Sequence, residues 1–240
     1  MRLLVTRPEA DAARTADALR ARGHAVLVAP LLRMKVSDAD LGPDPAAVLF
    51  TSANAVRALA AHSRRDSLRR LPVYAVGART AAAAHAAGFA EVTAGDGDVQ
   101  ALAGLIAEAR RDAGGTLLHL AGEERAGDLA GALAARGFSV HTVVLYRMVA
   151  ADTFPPEVAD ALATAALDAA LHYSRRSTEI FLDCATRLGV LNAAVKLAHY
   201  CLSAQVAAPL AAAGAATLHI AARPRRGGPR PAPKDSSGRV

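Results

Sequence analysis

Short apolar runs alternate with longer segments of helical spacing along most of the chain. Arg2–Thr6 is such a run, Glu9–Arg22 has the Ala, Leu and Arg pattern of a surface helix, and Gly23 is placed to end that helix. The same order recurs as far as residue 222. It predicts ten strands, most of them separated by a single helix, at residues 2–6, 25–29, 46–50, 73–76, 90–93, 116–120, a run ending at 144, 168–173, 196–202 and 216–221.

Strands that alternate with helices indicate βαβ units, which build parallel sheets with helices on both faces. The chain also repeats itself, because Ala16–Met34 and Ala130–Met148 match at ten of nineteen positions without a gap. Each copy predicts a helix end, a glycine and a β-branched strand, but Leu32 of the first copy corresponds to Tyr146 of the second. We therefore predict an α/β fold of two similar three-layer α/β/α domains, each with a five-stranded parallel sheet.

Two apolar-basic segments, Leu31–Val36 and Leu145–Ala150, come after the repeated strands and have the pattern of connecting strands. If they pair side by side, the middle of the chain, about residues 38–144, forms one domain and the two ends complete the other. Contiguous domains over residues 1–112 and 116–222 are the alternative. The residues alone leave both arrangements open.

Net charge changes this picture only at the end of the chain. The formal net charge is +6, but +5 of it lies in residues 223–240, which are rich in Pro, Gly and Arg. Such a segment cannot bury enough apolar surface to become ordered, so we predict a disordered basic tail. The remaining residues are nearly neutral, which argues against nucleic-acid binding, and a hydrophobic content of 52% suffices for two cores.

The cysteines and the first residues of the sequence indicate in which cellular compartment the protein is expected. Cys184 and Cys201 are too few for a disulfide framework and are predicted to be buried free thiols. Arg2–Thr6 runs directly into Arg7, so no signal peptide is expected. The uncharged run Leu197–Ala222 contains too much Ala, Ser, Gln, Pro and Gly for a membrane helix. We expect a soluble, cytoplasmic protein.

Small, hydroxylated or cationic residues stand after the predicted strands at their carboxyl ends, where open parallel sheets bind ligands. Several of them begin a helix, whose free N–H groups and positive dipole end suit carboxylates or phosphates. A role in capping alone would also explain Ser52 and Ser174. The candidates are Arg7, Thr51, Ser52, Ala53, Asn54, Gly77, Thr80, Ser174, Arg175, Arg176 and Ser203.

The sequence patterns of common catalytic sites are absent. No GxGxxG comes after a strand, and Gly122–Gly127 lacks the Lys-Ser/Thr of a phosphate-binding loop. The histidines have no metal-ligand spacing, and His172 and His199, in apolar strands, are interpreted as structural. No metal site is predicted. The chemistry, if there is any, needs little acid–base power.

Four segments in order resemble one known family. TRPEADAARTADAL at 6–19, VLFTSANAV at 48–56, YAVGARTAAAA at 74–84 and VVLYR at 143–147 are similar to uroporphyrinogen-III synthase, over about residues 1–222. The resemblance implies that the ends of the chain share one domain and that the active site is the cleft between domains. It assigns residues 1–32 plus 152–222 to the first domain, 38–144 to the second, and 33–37 and 145–151 to a two-stranded linker.

The reaction that the resemblance implies is that of a cyclising hydro-lyase without cofactor or metal. Hydroxymethylbilane, a linear tetrapyrrole, loses its hydroxyl, forms a resonance-stabilised cation and closes through a spiro intermediate. Inversion of the fourth pyrrole ring gives uroporphyrinogen III, in haem biosynthesis. Tyr146 matches the tyrosine that assists departure of the hydroxyl, since a phenol with a pKa of about 10 stays protonated at neutral pH. The candidate residues at the strand ends would hold the carboxylate arms.

The chain departs from the family in its second half. Tyr173-Ser174 stands where a Thr-Ser pair is usual in the family, and Val206 stands in place of a threonine. The expected partner is the small tetrapyrrole alone, with no nucleic acid and no membrane, and we expect a monomer in transient contact with the preceding pathway enzyme. The alternative from another class is a non-catalytic two-domain binding protein for a small polycarboxylate.

Overall fold

The computed structural model describes residues 1–111 and 114–222, which form a mixed α/β structure with parallel sheets. The predicted disordered tail, residues 223–240, lies outside the described residues. The described part has eleven strands: β1 Arg2–Val5, β2 Ala25–Val28, β3 Leu32–Val36, β4 Ala47–Phe50, β5 Val73–Ala75, β6 Val92–Ala94, β7 Leu117–Gly122, β8 Val140–Ala150, β9 Ala169–His172, β10 Ala198–Cys201 and β11 Leu218–Ile220. Ten of them were predicted as strands, and β3 was predicted as a connecting segment.

The helices lie between these strands, and their bounds differ from the prediction mostly by a few residues. They are α1 Glu9–Arg20, α2 Ala53–Leu59, α3 Arg65–Leu68, α4 Ala78–Ala86, α5 Val99–Ala109, α6 Leu129–Ala134, α7 Pro156–Ala163, α8 Arg175–Arg187, α9 Leu191–Ala194 and α10 Ala204–Ala212. The short helices α3 and α9 were not predicted, because one turn leaves too few residues for a periodic pattern. No helix of residues 1–111 and 114–222 is long and apolar enough to cross a membrane.

The chain divides into two compact units. Unit 1 comprises Met1–Arg33 and the residues from Ala150 onward, and its sheet has the order β11-β10-β9-β1-β2, with every neighbouring pair parallel. Strand β1 therefore lies inside the sheet, between β9 and the edge strand β2. The helices that come after β1, β9 and β10 cover the sheet, and their buried faces include Ile180, Phe181 and Leu210.

Unit 2 comprises Met34–Val149, and its sheet has the order β3-β8-β7-β4-β5-β6. Five strands were predicted for each sheet, and for this one the prediction was wrong, because β3 adds a sixth strand beside β8. The reason is the length of β8. It continues for eleven residues where a strand and a separate connecting segment were expected, and so it offers β3 an edge to pair with.

Glycines end the repeated helices in both units by the same geometry. Gly23 and Gly137 have φ of 81° and 84°, in the left-handed region that favours glycine. The next residue in each copy returns a hydrogen bond to the helix: His24 N–H to the Leu19 carbonyl at 3.2 Å, and Phe138 N–H to the Leu133 carbonyl at 3.1 Å. This closing pattern satisfies the last helical carbonyls and turns the chain into the next strand.

Candidate active site

Tyr146 lies on β8 near the carboxyl end of the unit 2 sheet, and its side chain is almost fully buried. Its neighbour on β7 is Gly122, at a point where the β7–β8 register shifts. A Cβ atom on Gly122 would lie 2.7 Å from the phenol ring and 2.8 Å from its oxygen. The ring can therefore lie against the β7 backbone only because residue 122 has no side chain. The Glu123 N–H donates to the Tyr146 carbonyl at 2.9 Å and fixes this corner.

A pocket of about 320 Å³ opens beside the phenol, and we call it the Tyr146 pocket. It brings together three of the predicted site residues, Thr51, Ser52 and Tyr146, with residues that were not predicted. Those further residues include Gly97, Asp98 and Arg125. A second pocket of about 390 Å³ also reaches Tyr146 and is lined by Lys35, Val36, Ser37, Glu123, Val144 and Arg147.

Two acceptors on the wall of the Tyr146 pocket are used to cap helices. Ser52 Oγ accepts from the Asn54 N–H at 3.1 Å at the start of α2, and Asp98 Oδ1 accepts from the Ala101 N–H at 2.8 Å at the start of α5. The capping explanation of Ser52 is thus correct as far as its acceptor role is concerned. Its hydroxyl proton still can be donated to a ligand, since a hydroxyl accepts and donates at once.

Thr51, which lines the Tyr146 pocket, forms a side-chain hydrogen bond with His119 of β7. The Thr51 Oγ1 lies 3.1 Å from His119 Nε2, and Thr142 Oγ1 lies 3.5 Å from His119 Nδ1. The imidazole is 2% exposed, and it borders a third pocket of about 400 Å³ together with Arg125, Asp128 and Thr142. Burial, reinforced by Arg125 and opposed by Asp128, lowers the pKa of His119 to about 4, so the ring is neutral at pH 7.

His119 was not recognised from the sequence, although a signal exists. It is the one ionisable residue in the apolar run Leu117–Ala121, and β7 is buried along its whole length. A buried polar side chain needs partners, and these come from strands that are distant in the chain. Only the strand order reveals them.

Four other predicted residues of unit 2 lie at helix starts and do not line the Tyr146 pocket. Ala53 and Asn54 form the first turn of α2. Gly77 precedes α4, where a Cβ would lie 3.4 Å from the Gly97 Cα. Thr80 is buried, and its N–H donates to the Gly77 carbonyl at 3.0 Å.

The predicted residues of unit 1 also lie beyond the carboxyl ends of neighbouring strands. Arg7 comes after β1, forms an ion pair with Asp11 at 3.2 Å and stacks over the Tyr173 ring, 4.2 Å from its centre. Ser174 caps α8 by accepting from the Ser177 N–H at 3.1 Å. Tyr173, which replaces the threonine usual in the family, is thus used to hold an arginine.

Arg175 and Ser203 are placed differently from Ser174. Helix α8 begins at Arg175, and Arg175 Nε donates to Glu179 Oε1 at 2.8 Å. Ser203 precedes α10 without a side-chain capping bond. The cavity found in unit 1, about 400 Å³, lies at the opposite, amino ends of β9 and β10, beside Asp168 and Lys196.

A pair of buried histidines links β9 and β10 in unit 1. His172 Nε2 lies 3.1 Å from His199 Nδ1, and both rings pack on Phe181. Burial lowers the pKa of His172 to about 3 and that of His199 to about 4, so both rings are neutral in the folded protein at pH 7. The two cysteines, Cys184 and Cys201, are buried and free.

Parallel sheets with hydroxyl groups and arginines beyond their strand ends define a class, the α/β proteins that bind polar ligands at this edge. A sequence pattern of the family described as uroporphyrinogen-III synthase HemD matches residues 13–228. The chain therefore belongs to the uroporphyrinogen-III synthase family.

One of the similar solved structures supports the fold. Uroporphyrinogen-III synthetase from Helicobacter pylori is 19% identical, and the match covers 94% of this chain and 95% of that one with a TM-score of 0.59. A mutant uroporphyrinogen III synthase from Thermus thermophilus is 19% identical, with coverages of 93% and 94% and a TM-score of 0.48. At this identity the Helicobacter likeness concerns the fold alone. No curated protein sequence matches the chain.

Family membership settles the kind of activity. The protein is a cyclising enzyme of tetrapyrrole biosynthesis, and it converts hydroxymethylbilane to uroporphyrinogen III with inversion of the fourth pyrrole ring and loss of water. The alternative of a non-catalytic polycarboxylate-binding protein is not favoured.

Proposed function

We propose that Tyr146 is the residue that assists the departure of the substrate's hydroxyl group. Electrons from the pyrrole nitrogen break the carbon–oxygen bond, the phenol gives the departing hydroxyl its proton, and water departs. The proton that the pyrrole carbon loses on ring closure then restores the phenol. The cation is stabilised by the pyrrole itself, so the protein has only to orient the rings and donate once. A reaction that needs a single weak proton donor is compatible with buried histidines that are neutral at pH 7.

The observation that carries the proposal is the setting of the phenol. The Tyr146 backbone accepts a hydrogen bond from the Glu123 N–H, and its ring packs against the backbone of Gly122, which has no side chain. The phenol borders two pockets. Within residues 1–111 and 114–222, no protein group forms a hydrogen bond with its hydroxyl. A fixed phenol with an uncommitted proton beside a pocket is what a general acid requires.

The carboxylate arms of the substrate are the proposed ligands of the remaining site residues. In unit 2 these are Thr51, Ser52, Ala53, Asn54, Gly77 and Thr80, and in unit 1 they are Arg7, Ser174, Arg175 and Ser203. Hydroxyls, backbone N–H groups and guanidinium groups are the natural donors to carboxylates. Arg7 forms an ion pair with Asp11 and Arg175 forms one with Glu179, so the hydroxyls of Ser174 and Ser203 are the better candidates in unit 1.

We also propose that residues 1–32 with 152–222 and residues 38–144 are three-layer domains, and that residues 33–37 and 145–151 are the linker between them. Two hydrogen bonds support the linker: Ser37 N–H to the Leu145 carbonyl at 2.7 Å and Ala151 N–H to the Leu31 carbonyl at 2.9 Å. Their opposite order along the two segments indicates antiparallel pairing. A crystal structure with contiguous domains over 1–112 and 116–222 would overturn this proposal. The cytoplasmic location and the monomeric state stay predictions.

Activity is tested with freshly made hydroxymethylbilane. The bilane closes spontaneously to the type I isomer, so the enzyme is measured as the type III isomer that appears above the protein-free control. After oxidation the two isomers are separated by chromatography. Product that remains entirely type I at every protein concentration would contradict the function.

A further inference from the structure

Three strands of unit 2 carry a polar row across one face of the sheet. On this face β8, β7 and β4 first present Val140, Leu117 and Ala47, which pack with the core of α5 and α6. Towards the carboxyl ends, the same face presents Thr142, His119 and Thr51. His119 lies opposite Thr142 on β8 and opposite Leu49 on β4, two residues before Thr51. The apolar core thus ends in a row of two hydroxyls with an imidazole between them.

The contacts along this row are those of a chain of hydrogen bonds. His119 Nδ1 lies 3.5 Å from Thr142 Oγ1, and His119 Nε2 lies 3.1 Å from Thr51 Oγ1. The ring is buried and neutral at pH 7. A neutral imidazole has one N–H and one bare nitrogen, so only two directions of donation are possible.

The direction decides what Thr51 can offer to a ligand. If Nδ1 carries the proton, the Thr51 hydroxyl must donate to the bare Nε2, and only its lone pairs face the Tyr146 pocket. If Nε2 carries the proton, Thr51 accepts from the ring, and its own O–H is free to donate into the pocket. A substrate with carboxylate arms needs the second arrangement, since a carboxylate only accepts.

The charges around the imidazole do not by themselves choose between the two arrangements. Arg125 lines the pocket beside Thr142 and also the Tyr146 pocket beside Thr51. Asp128 is occupied as a cap, because its Oδ1 accepts from the Gly131 N–H at 2.9 Å. The need of a carboxylate for a hydrogen-bond donor therefore decides, and it favours a protonated Nε2.

We propose that Thr142, His119 and Thr51 form a one-way relay, Thr142 O–H to Nδ1 and Nε2–H to Thr51, which holds the Thr51 hydroxyl as a donor to a carboxylate arm of the tetrapyrrole. His119 and Thr142 are then positioning residues that never touch the substrate. The inference rests on the proposed role of Thr51 in substrate binding.

The tautomer of His119 is the direct test, and it needs no activity. In two-bond ¹H–¹⁵N correlation spectra of the ¹⁵N-labelled full chain at pH 7, the His119 signals are assigned by their loss in His119→Gln. The expected pattern is that of a protonated Nε2 and a bare Nδ1. A protonated Nδ1 would overturn the relay while leaving the activity of the enzyme untouched.

The kinetic test breaks the relay at its far end. Thr142→Val keeps the shape of the side chain and removes the hydroxyl, so Thr51 loses its enforced direction. Because Thr51 binds the arm equally in the ground and transition states, KM is expected to rise about 3–10-fold with kcat nearly unchanged. Thr142→Ser keeps the hydroxyl and is expected to restore a KM within about 2-fold of the parent value.

Two controls separate positioning from damage. Thr93→Val makes the same change on the exposed edge strand β6 and is expected to leave KM and kcat as they are. His119→Gln keeps an N–H donor near the Nε2 position, whereas His119→Leu does not, so KM should rise more in the leucine variant. Equal KM values for Thr142→Val and the parent, or for the glutamine and leucine variants, would overturn the relay. Loss of type III product from the parent enzyme would instead overturn the function.

Discussion

The two copies of the repeat, Ala16–Met34 and Ala130–Met148, differ most in the strands beyond the shared glycine turn. In the first copy the chain forms β2, breaks, and resumes as β3. In the second it runs through as β8 for eleven residues. Pro30 stands at the break, and its equivalent in the second copy is Val144. Proline has no N–H to donate and fixes φ, so it interrupts a strand where valine continues one.

This difference matches the place of each strand in its sheet. β2 is an edge strand beside β1, whereas β8 has β7 on one side and β3 on the other. An interrupted strand is tolerated at an edge but costs hydrogen bonds inside a sheet. The uninterrupted strand also carries the tyrosine, because residue 146 lies two positions beyond Val144. Two differences between the copies, Val144 for Pro30 and Tyr146 for Leu32, thus separate an interrupted edge strand from a continuous strand that carries the proposed acid.

Tyr146→Phe is expected to have the largest effect on activity. It removes the hydroxyl group by which Tyr146 of the second copy differs from the apolar Leu32 of the first. Removing a positioned acid should lower kcat for type III product by about 10²–10⁴-fold, and the slow variant should accumulate type I. The measurement is the initial rate and the isomer ratio from hydroxymethylbilane. Tyr200→Phe, an exposed tyrosine of β10, is the control. A Tyr146→Phe enzyme with parental kcat and isomer ratio contradicts the acid role.

Val144→Pro transfers the break of the first copy into the second. The lost ladder bond and the orphaned carbonyl inside the sheet should lower the free energy of unfolding by about 2–4 kcal/mol. The reciprocal Pro30→Val should cost less than about 1 kcal/mol, mostly through a freer unfolded chain. Urea denaturation monitored by circular dichroism measures both. Equal losses in the two variants would show that the proline does not explain the difference.

Gly122→Ala tests how closely the tyrosine is seated. The new Cβ would lie 2.7 Å from the ring, so Tyr146 must move, and a shift of about 1 Å in a catalytic group can cost about 10²-fold in rate. We expect kcat to fall about 10–100-fold with a smaller change in KM. Gly104→Ala, within α5 where a Cβ meets nothing within 4 Å, is the matched control and should retain kcat. Parental kcat in Gly122→Ala would mean that the ring position is unimportant.

Acid sensitivity compares the cores of the two units. The buried pair His172 and His199 occupies the places that Phe50 and Val73 hold in the unit 2 sheet. Unfolded histidines have a pKa of about 6.5, while burial lowers those of His172 to about 3 and His199 to about 4. Between pH 6.5 and about 4 the unfolded state binds more protons, so stability is lost as the pH falls.

The double variant His172→Phe with His199→Val should therefore be less acid-sensitive. Between pH 7 and pH 5 the parent should lose about 3.5 kcal/mol more of its unfolding free energy than the variant, roughly 2 kcal/mol for each histidine. Urea titrations at the two pH values give the difference. His119 of unit 2 remains in both proteins, so a shared residual slope is expected. Parallel losses in parent and variant would mean that the pair is not buried neutral.

The apolar pattern of the chain was enough to predict ten strands, the parallel connections and the two glycine turns, because these depend on neighbours in sequence. The sixth strand of unit 2, β3, was predicted as a connecting strand and not as part of the sheet, although Val144 in place of Pro30 was a readable sign that β8 continues. Thr51 and Ser52 come directly after β4 and Tyr146 lies within β8, and the three predicted residues line one pocket. His119 and Arg125 were missed because their partners come from other strands, which no local pattern records.

The course of the chain through unit 1 has a consequence for biosynthesis. Strand β1 of this unit pairs with β9, so that Leu3 lies opposite Ala169, whereas unit 2 is one uninterrupted piece of chain. During synthesis on the ribosome, all of unit 2 emerges after β1 and β2 but before β9, the strand with which β1 pairs. The nascent chain therefore exposes an open strand edge throughout the synthesis of unit 2. Such an edge attracts chaperones and mispairing, and the interval lasts on the order of ten seconds at about 5–20 residues per second.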